Sequence, residues 1–515
     1  MTHLDRRQFL HTAGAAGAAT GLGSLLFNRA AAAAIGDTLT IAYHVPLPAW
    51  DPTTGLSSVN PQLMSIYKCV FDQYIDQNAD LSFRPGLLTE WGWADDDKTR
   101  VRMVVREGAR WQDGKPVTAE DVIWNLRRVA NPETGNPVSF VWASIDNLKA
   151  DGSVITGDVK QYMPDLFKWM AFLTAYVLPP HHYDGVGKEG FEKQPMGSGP
   201  YTVDEFQRGS FVRLKANPDY WGGAPAFETV VFKFVTDPAA RIAEIESGRS
   251  DLTLNIPFEE FDRLKAKPGL EGVATPVSDI AMIFFNDVDP MTDVNVRKAA
   301  VMAVDRKAIV DRLLRGYGIP IETLLAPPYT GFDPEVSTPY DPQRAAALLA
   351  ESGYSRDNPV RFRIQTTRGY IAKDYEVIQA IVGMWRRVGI EAEIEVYEVA
   401  KHFELRAQDQ LAPAAFYNWG NSIGDPSTST GHAMFGPSPH STWDTDDVDA
   451  MIGPLWVEKD EAKRIAGWQA VNHHIAENAY VFPLYQQVQP VVHKQGLKFE
   501  GHFANFILPQ AMSKA

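Results

Sequence analysis

The residues of this sequence that are best suited to grip a small ligand lie in the stretch Phe416–Pro426. It reads FYNWGNSIGDP and combines aromatic rings, amides, a hydroxyl and glycines. An aromatic ring provides a flat apolar wall, and amides and hydroxyls supply hydrogen bonds, the usual combination in small-molecule sites. Because the stretch has neither helical nor strand periodicity, we expect a loop there. It therefore predicts binding of a ligand.

Histidines form a second set of residues with chemistry of their own. His181–His182 and His473–His474 are adjacent pairs, whose side chains diverge on a regular helix or strand, whereas His432 and His440 share one loop and can meet. Imidazole suits nickel. Because no cysteine or acidic neighbour stands at ligand spacing, we expect neither a metal site nor a cofactor.

The sequence carries no recognisable catalytic motif. Asp95–Asp97 is typical of a surface turn, and Met196–Gly199 does not have the Gly-x-Ser-x-Gly pattern of a nucleophile elbow. A phosphate-binding loop and a dinucleotide fingerprint are also missing from the sequence. We expect no enzymatic activity. A secreted hydrolase is the alternative, and it requires a nucleophile or a carboxylate pair in the binding cleft.

The first 34 residues have the character of a secretory leader. Arg6 and Arg7 precede Phe-Leu and a short Ala/Gly-rich stretch, as in signals of the twin-arginine route, and Ala32 and Ala34 suit the −3 and −1 cleavage positions. The mature chain then begins near Ile35. A membrane anchor or an ordinary helix is the alternative, but the apolar part is shorter than the ~20 residues of a span.

Composition indicates an exported acidic protein with a large core. The formal charge is −15, and the leader carries three basic and one acidic residue, so its removal leaves −17. An acidic surface without basic runs argues against nucleic acid and anionic membranes as partners. The only cysteine is Cys69, so an internal disulfide is excluded. Length alone suggests two or three domains.

Strand and helix signals alternate along the chain, which predicts an α/β fold. Predicted strands are 38–44, 230–235 and 280–285, the last two buried on both faces because they are almost continuously apolar. Predicted helices begin after Thr118, Asp237, Asp293 and Asp341, and Gly248 and Gly353 end two of them. Gly197 and Gly199 before Pro200 predict a tight chain crossing.

Several motifs follow one another in a fixed order along the chain. They are RPGLLTEW (84–91), VRMVVREG (101–108), WQDGKPVTAEDV (111–122), GSGPY (197–201), NPDYWGG (217–223), FN (285–286) with Asp293 and VRKA (296–299), and Trp419 with GDP (424–426). Their number and order resemble family 5 of the bacterial extracellular solute-binding proteins. This is the dipeptide-, oligopeptide- and nickel-binding group of ABC importers, and the resemblance covers essentially the whole mature chain.

The resemblance implies a two-lobed periplasmic-binding-protein-like α/β fold, with an extra subdomain on lobe I and a two-segment hinge. The implied division is a signal peptide at 1–34, lobe I at 36–77, 196–283 and 486–515, the extra subdomain at 78–195 and lobe II at 284–485. The hinge is expected near Asn286–Asp287 and Leu484–Gln486. Closure of the lobes would then enclose the ligand.

The resemblance also selects candidate ligand-binding residues. Ligands of open α/β sheets lie beyond the carboxyl ends of strands, which favours the first strand and the loop after it. In peptide-binding members an acidic residue stands three positions after the tryptophan, where this chain has Ser422. The predicted ligand-binding residues are Trp419, Gly420, Asn421, Ser422, Asp425, Tyr43, His44, Trp50 and His402.

The implied function is that of the substrate-binding component of an ABC importer in the periplasm. A short peptide is the first ligand expected, an opine, oligosaccharide or other polar solute the second, and nickel the third. The partners expected are the ligand and, transiently, the permease and ATPase subunits. We expect a monomer that does not insert into the membrane, and a chemoreceptor or chaperone-like role is the alternative use of the same fold.

Overall fold

The computed structural model describes residues 35–55, 58, 60–438, 440, 441 and 443–515. The predicted signal peptide lies outside the described residues. Over the described residues, no helix is both long and apolar enough to cross a bilayer.

Strands and helices alternate over the described chain, as the sequence predicts. The strands are β1 (Thr38–Tyr43), β2 (Ile75–Gln77), β3 (Phe83–Pro85), β4 (Leu88–Trp93), β5 (Arg100–Val105), β6 (Ile145–Asp151), β7 (Val154–Val159), β8 (Tyr201–Gln207), β9 (Phe211–Ala216), β10 (Thr229–Phe234), β11 (Leu252–Leu254), β12 (Leu270–Phe285), β13 (Ile319–Pro320), β14 (Val360–Thr366), β15 (Ile390–Val396), β16 (Ala414–Gly420), β17 (Val481–Lys494), β18 (Leu497–Lys498) and β19 (Ser513–Lys514).

The helices pack on these strands and between them. They are α1 (Met64–Val70), α2 (Ala119–Ala130), α3 (Ser139–Trp142), α4 (Leu166–Trp169), α5 (Pro180–Lys193), α6 (Pro238–Glu246), α7 (Phe258–Lys265), α8 (Val294–Met302), α9 (Arg306–Arg312), α10 (Pro342–Glu351), α11 (Asp374–Arg386), α12 (Val399–Ala407), α13 (Thr430–Met434), α14 (Asp446–Ile452) and α15 (Glu461–Asn478). Short 3₁₀ turns include Pro426–Thr428 and Gly453–Trp456.

One large mixed sheet runs through the molecule, in the order β15-β14-β16-β12-β17-β11-β1-β10-β9-β8 over the described residues. Parallel pairs occur on both sides, between β1 and β10 and between β14 and β15. A separate sheet has the order β4-β5-β7-β6. The predicted strands at 38–44, 230–235 and 280–285 are confirmed, although the last is the end of the much longer β12.

The two long strands β12 and β17 join the two halves of the large sheet. Their antiparallel register shifts between Pro276 and Ile280, opposite residues 486–488 of β17. On the N-terminal side of this shift in β12, the paired part of β17 also pairs with β11. On the C-terminal side, β12 also pairs with β16. Asn286 of the expected hinge follows β12 directly, and its backbone N–H donates to the carbonyl of Pro413. The exact hinge positions stay a prediction.

The helix starts predicted from capping residues are confirmed. Thr118 accepts a hydrogen bond from the N–H of Asp121, whose carboxylate accepts one from the N–H of Thr118 in return. Asp237, Asp293 and Asp341 cap α6, α8 and α10 through their side chains. A side-chain oxygen satisfies amides that the first helical turn leaves without a carbonyl partner, so these signals are local and readable from sequence.

The glycines at 197 and 199 make the tight crossing that the sequence predicts. A β-carbon on Gly197 would lie 2.0 Å from the carbonyl oxygen of Val70, and one on Gly199 would lie 2.7 Å from it. The strand leading into β8 therefore passes directly against the end of α1. Cys69, which precedes Val70, is buried at this crossing. Its thiol lies 3.3 Å from the carbonyl oxygen of Ser65, and burial raises the pKa of the thiol.

Candidate functional site

A cavity of about 1020 Å³ opens between two separate segments of the chain. We call residues 137–173 its first wall and residues 419–457 its second wall. Aromatic and aliphatic side chains dominate both walls, namely Phe140, Trp169, Phe172 and Leu173 on the first and Trp419, Phe435 and Trp456 on the second. A concave apolar site with a few convergent polar groups is typical of a small-molecule site.

The polar groups of the cavity are uncharged. They come mostly from the second wall and include Asn421, Ser422, Thr428, His432 and His440. Among the described residues that line the cavity, none is an aspartate, glutamate, lysine or arginine. The lining can therefore offer hydrogen bonds and apolar contact, but no direct ion pair.

Trp419 is held firmly in the second wall. It lies near the end of β16, paired with Ile280 of β12, and its indole N–H donates to the carbonyl of Thr428 at 2.7 Å. Its ring meets Phe284 edge to face, with 6.0 Å between centroids. Next to it, a β-carbon on Gly420 would lie 2.9 Å from the carboxylate of Asp279, so the glycine permits this close strand contact.

Behind Trp419 lies an arginine without an acidic partner. The guanidinium of Arg406 stacks 4.6 Å from the Trp419 ring centroid and donates to the carbonyl of His440 at 2.9 Å. Among the described residues, no carboxylate forms an ion pair with it. Burial lowers the pKa of Arg406 to about 10, which still leaves it charged at neutral pH. The second wall therefore has a cation against Trp419 and the carboxylate of Asp279 against Gly420.

Asn421 and Ser422 line the cavity and also shape its loop. The Asn421 side chain donates to the carbonyl of Asp425 at 2.7 Å and to the hydroxyl of Ser429 at 3.0 Å. The Ser422 hydroxyl lies 3.3 Å from the hydroxyl of Ser278, and the backbone carbonyl of Ser422 accepts a hydrogen bond from the side-chain amide of Gln77 at 2.7 Å. Much of their hydrogen-bonding capacity is thus used within the protein.

Asp425 does not line the cavity, and its carboxylate is fully buried. It pairs with Arg464 through both oxygens and with the ammonium of Lys168 at 2.7 Å. It also caps the 3₁₀ turn that follows, by accepting from the N–H of Ser427. Burial opposes its ionisation, but the charges of Lys168 and Arg464 outweigh burial and hold the pKa of Asp425 well below its usual range.

The candidates near the first strand also lie outside the described lining of this cavity. The Tyr43 hydroxyl donates to the carbonyl of Gln62 at 2.5 Å, and its ring packs edge-on against Phe232. His44 stacks beside Tyr43, with 5.2 Å between ring centroids. Trp50 is buried against Phe206 and borders a different, shallower groove. The structure therefore brings none of these three to Trp419.

His402 is a core residue behind the second wall. Its ring stacks on Tyr417 at 3.9 Å, one ring nitrogen contacts the carbonyl of Phe416 at 3.0 Å, and the other contacts the amide of Gln365 at 3.1 Å. Burial lowers its pKa to about 4, so the ring is neutral at pH 7. Like Asp425, it lies outside the described lining of the cavity.

The structure brings His432 and His440 together in the cavity, with 6.1 Å between their ring centroids. Burial lowers the pKa of His432 to about 4 and also lowers that of His440. Both rings are therefore neutral at pH 7 and have a lone pair to offer. Among the described residues, no group of three or more histidine, cysteine, aspartate or glutamate side chains is placed to hold a metal ion.

The sequence interpretation missed the first wall altogether. Trp169 and Phe172 lie in the stretch 166–173, which is apolar except for Lys168 and is rich in aromatic residues, but nothing in the sequence links it to Trp419. The expected loop at 416–426 was also wrong in its first half, since residues up to Gly420 form β16. That strand is buried between β12 and β14, so its sequence has no polar-apolar alternation to reveal it.

Comparison with known proteins gives the cavity its context. Residues 82–438 match the profile of the bacterial extracellular solute-binding proteins, family 5. This chain belongs to that family. The family prediction from sequence is therefore confirmed, and so is the role of a solute-binding protein for an ABC importer. Residues 3–23 match the twin-arginine signal sequence, which confirms that this family 5 protein is exported to the periplasm.

Curated relatives of this family 5 protein include binders of different solutes. The dipeptide-binding protein of Escherichia coli K12 is 26% identical over 80% of this chain and 79% of its own. The nickel-binding periplasmic protein of the same organism is 24% identical over 90% and 92%. The heme-binding protein A of Haemophilus influenzae is 23% identical over 83% and 80%.

Solved structures confirm the two-lobed fold of family 5. The substrate-binding protein CtaP of Listeria monocytogenes superimposes with a TM-score of 0.83 at 19% identity, over 93% of this chain and 99% of its own. HbpA2 of Haemophilus parasuis gives 0.80 at 20% identity, over 93% and 100%. These likenesses establish the fold.

Proposed function

We propose that this family 5 protein captures a short peptide with apolar side chains in the cavity and delivers it to an ABC permease. The observation that supports the peptide is the cavity itself, whose aromatic walls and uncharged polar lining enclose about 1020 Å³. That volume holds a few amino-acid residues. Each Å² of apolar ligand surface that the walls remove from water stabilises the complex by about 25 cal/mol.

The charged groups beside the second wall are one cation and one carboxylate, and neither lines the cavity. Ser422 has no charge to offer an ammonium group, Arg406 stacks against Trp419, and the carboxylate of Asp279 lies against Gly420. A buried ammonium without a counter-charge is costly, since desolvation then has nothing to offset it. We therefore expect the ligand's amino terminus to point away from the Arg406 side of the second wall.

We further propose that the protein performs no reaction. The described lining holds neither a cysteine nor a carboxylate, and the hydroxyls of Ser422, Thr428 and Ser438 bond to Ser278, Asn421 and main-chain carbonyls rather than to the rings of His432 and His440. The curated relatives described above are named as binders of dipeptides, nickel and heme. We also propose that the chain divides into lobes at the boundaries given above, that it is a monomer, and that it docks transiently on the permease.

A thermal-shift screen tests the ligand class. Tripeptides and tetrapeptides of leucine and phenylalanine are compared with aspartate- and lysine-rich peptides, an opine, an oligosaccharide and nickel ions. A ligand at a hundred times its dissociation constant adds ~2.7 kcal/mol to the free energy of unfolding. We expect the apolar peptides to give the largest shift. A shift with the opine or the oligosaccharide and none with any peptide would reject the peptide ligand.

A second candidate ligand is a nickel chelate with small organic ligands. The observation that favours it is the pair of neutral imidazoles, His432 and His440, which lie edge to face in the cavity with 6.1 Å between ring centroids. Two ligands cannot complete a nickel site, so the remaining donors would have to arrive with the ion. Calorimetry with nickel alone and with nickel plus free histidine tests this. Loss of binding in His440→Gln, with the buried remote His493→Gln as control, would favour the chelate.

A further inference from the structure

Four charged side chains form a buried cluster between the two walls of the cavity. Asp165 and Lys168 belong to the first wall, Asp425 belongs to the second wall, and Arg464 lies in α15 directly behind it. The side chains of Asp425 and Arg464 are almost completely buried, and that of Lys168 is 21% exposed. We call these four residues the latch. None of them lines the cavity.

The contacts of the latch divide into those within a wall and those that cross between walls. Arg464 holds Asp425 within the second-wall side, and the indole N–H of Trp169 donates to Asp165 within the first wall at 3.0 Å. Lys168 crosses from the first wall to Asp425 at 2.7 Å and to the hydroxyl of Thr330 at 3.1 Å. Separation of the walls therefore breaks the contacts of Lys168 and leaves the Asp425–Arg464 pair intact.

Neighbouring side chains connect the latch to the cavity. Trp169, which follows Lys168 in the chain, lines the cavity, and so does the stretch from Trp419 to Ile423, which leads into Asp425. The hydroxyl of Ser427 also crosses between the walls and donates to Asp165 at 2.7 Å. The residues that grip the ligand and those that join the walls thus lie on the same two short segments.

Charge balance makes Lys168 decisive in this cluster. In the observed arrangement, two carboxylates face two cations, with Glu461 at the exposed edge 3.9 Å from Arg464. Burial and the nearby charge of Asp425 raise the pKa of Asp165, as expected when two carboxylates approach each other. Without the ammonium of Lys168, closing the walls would either bury a net negative charge or require Asp165 to take up a proton, and both cost free energy.

We propose that Lys168 is a positioning residue that sets ligand affinity without touching the ligand, by making closure of the two walls favourable. A ligand that contacts both walls binds the closed arrangement, so any change in the closed population changes its apparent affinity by the same factor. The consequence for affinity rests on the proposed function of the cavity. The consequence for closure does not.

Four variants separate this role from a general structural one. Lys168→Met keeps the length of the side chain and removes its charge. Lys168→Met combined with Asp165→Asn restores the charge balance. Lys168→Arg keeps the charge. The matched control is Lys160→Met, because Lys160 makes an exposed ion pair with Asp146 at 3.3 Å in the same region of the fold.

Two measurements are made on each full-length mature protein. Small-angle X-ray scattering without ligand reports the closed population, and stopped-flow release of an apolar tripeptide reports the dissociation rate. We expect Lys168→Met to increase the radius of gyration and to speed release by about tenfold. The double variant and Lys168→Arg should recover most of both effects, and Lys160→Met should match the original protein.

Equal scattering profiles for Lys168→Met and Lys160→Met would overturn the proposal, as would a double variant more open than the single one. If no tripeptide binds at all, the peptide ligand is rejected while the scattering result still decides on closure. If urea unfolding shows that Lys168→Met does not fold, the scattering comparison is made with the double variant and with Lys168→Arg instead. A larger radius of gyration than that of the original protein in both variants would then reject the proposal.

Discussion

The hydroxyl of Ser422 lies 3.3 Å from the hydroxyl of Ser278, so that two uncharged groups meet at the edge of the cavity. Family resemblance leads one to expect an acidic side chain at position 422. The pair itself offers a ligand ammonium no counter-charge, and the carboxylate on this side of the cavity is that of Asp279, which lies against Gly420. Position 422 is therefore a suitable place to change which end of a ligand the cavity accepts.

Ser422→Asp should add affinity for ligands with a free ammonium group, by about tenfold. The new carboxylate would be buried beside Ser278, so we also expect the variant to be less stable than the original protein when no ligand is present. Calorimetry with a peptide and its N-acetylated form measures the difference. Ser422→Asn is the neutral control, and an equal preference for both forms in Ser422→Asp would contradict the expectation.

Trp419→Ala should weaken ligand binding by ten- to a hundredfold, because it removes the flat face of the second wall and the indole that anchors it to Thr428. Fluorescence or calorimetric titration measures the affinity, and urea unfolding measures the stability. Trp124→Ala is the control, since Trp124 packs against Tyr183 outside the described lining. Unchanged affinity with unchanged stability would remove Trp419 from the site.

Asp425→Asn should lower the free energy of unfolding by about 3 kcal/mol, because it leaves Lys168 and Arg464 without the carboxylate that both contact. Urea denaturation at pH 7 measures the change. Asp80→Asn is a suitable control because Asp80 is exposed and bonds only within its own turn. A loss below 0.5 kcal/mol would show that the buried pairs contribute little to stability.

Gly197→Ala should be strongly destabilising, because the new methyl group would collide with the carbonyl of Val70 and the backbone there cannot move aside without disturbing α1. We expect a loss of about 3 kcal/mol or more. Gly92→Ala, in β4, is the matched control, since a methyl group there meets nothing within 4 Å. Similar melting temperatures of the two variants would contradict the close crossing.

His402 should make the protein less stable as the pH falls. Its pKa is about 4 in the folded chain, because burial disfavours the charged ring, against 6.5 in the unfolded chain. The unfolded state therefore binds a proton first, and the stability present above pH 6.5 is lost progressively down to pH 4. The difference amounts to about 3 kcal/mol.

Urea unfolding of the original protein and of His402→Gln between pH 7.5 and pH 4 tests this dependence. The gap between the two free energies should shrink as the pH falls. A gap that stays constant over this range would show that His402 does not titrate differently in the two states.

The sequence predicted best what depends on neighbouring residues. The starts of α2, α6, α8 and α10 follow from one capping side chain each. The end of β12 follows from a continuous apolar run, although its first ten residues have no such signal. Four of the nine ligand-binding candidates, from Trp419 to Ser422, line the cavity because they are consecutive in one segment.

The first wall was beyond prediction because it meets the second wall only through the fold. Trp169 and Trp419 are 250 residues apart, and no periodicity encodes their contact. Tyr43 and His44 were placed by the general rule for carboxyl ends of strands, but β1 lies several strands away from β16 in the sheet. The rule gives an edge of the sheet without saying which strands of a long sheet border this cavity, so the part of Tyr43 and His44 in binding stays a prediction.

The single thiol of this protein, Cys69, is packed beneath the chain crossing at Gly197 and is shielded from reagents by its burial and its raised pKa. The folded protein is therefore effectively silent toward thiol-reactive dyes. A cysteine introduced on either wall could therefore be labelled selectively with a dye, and the native Cys69 would not have to be replaced first. The protein can thus serve as the scaffold of an optical sensor for whatever solute it binds.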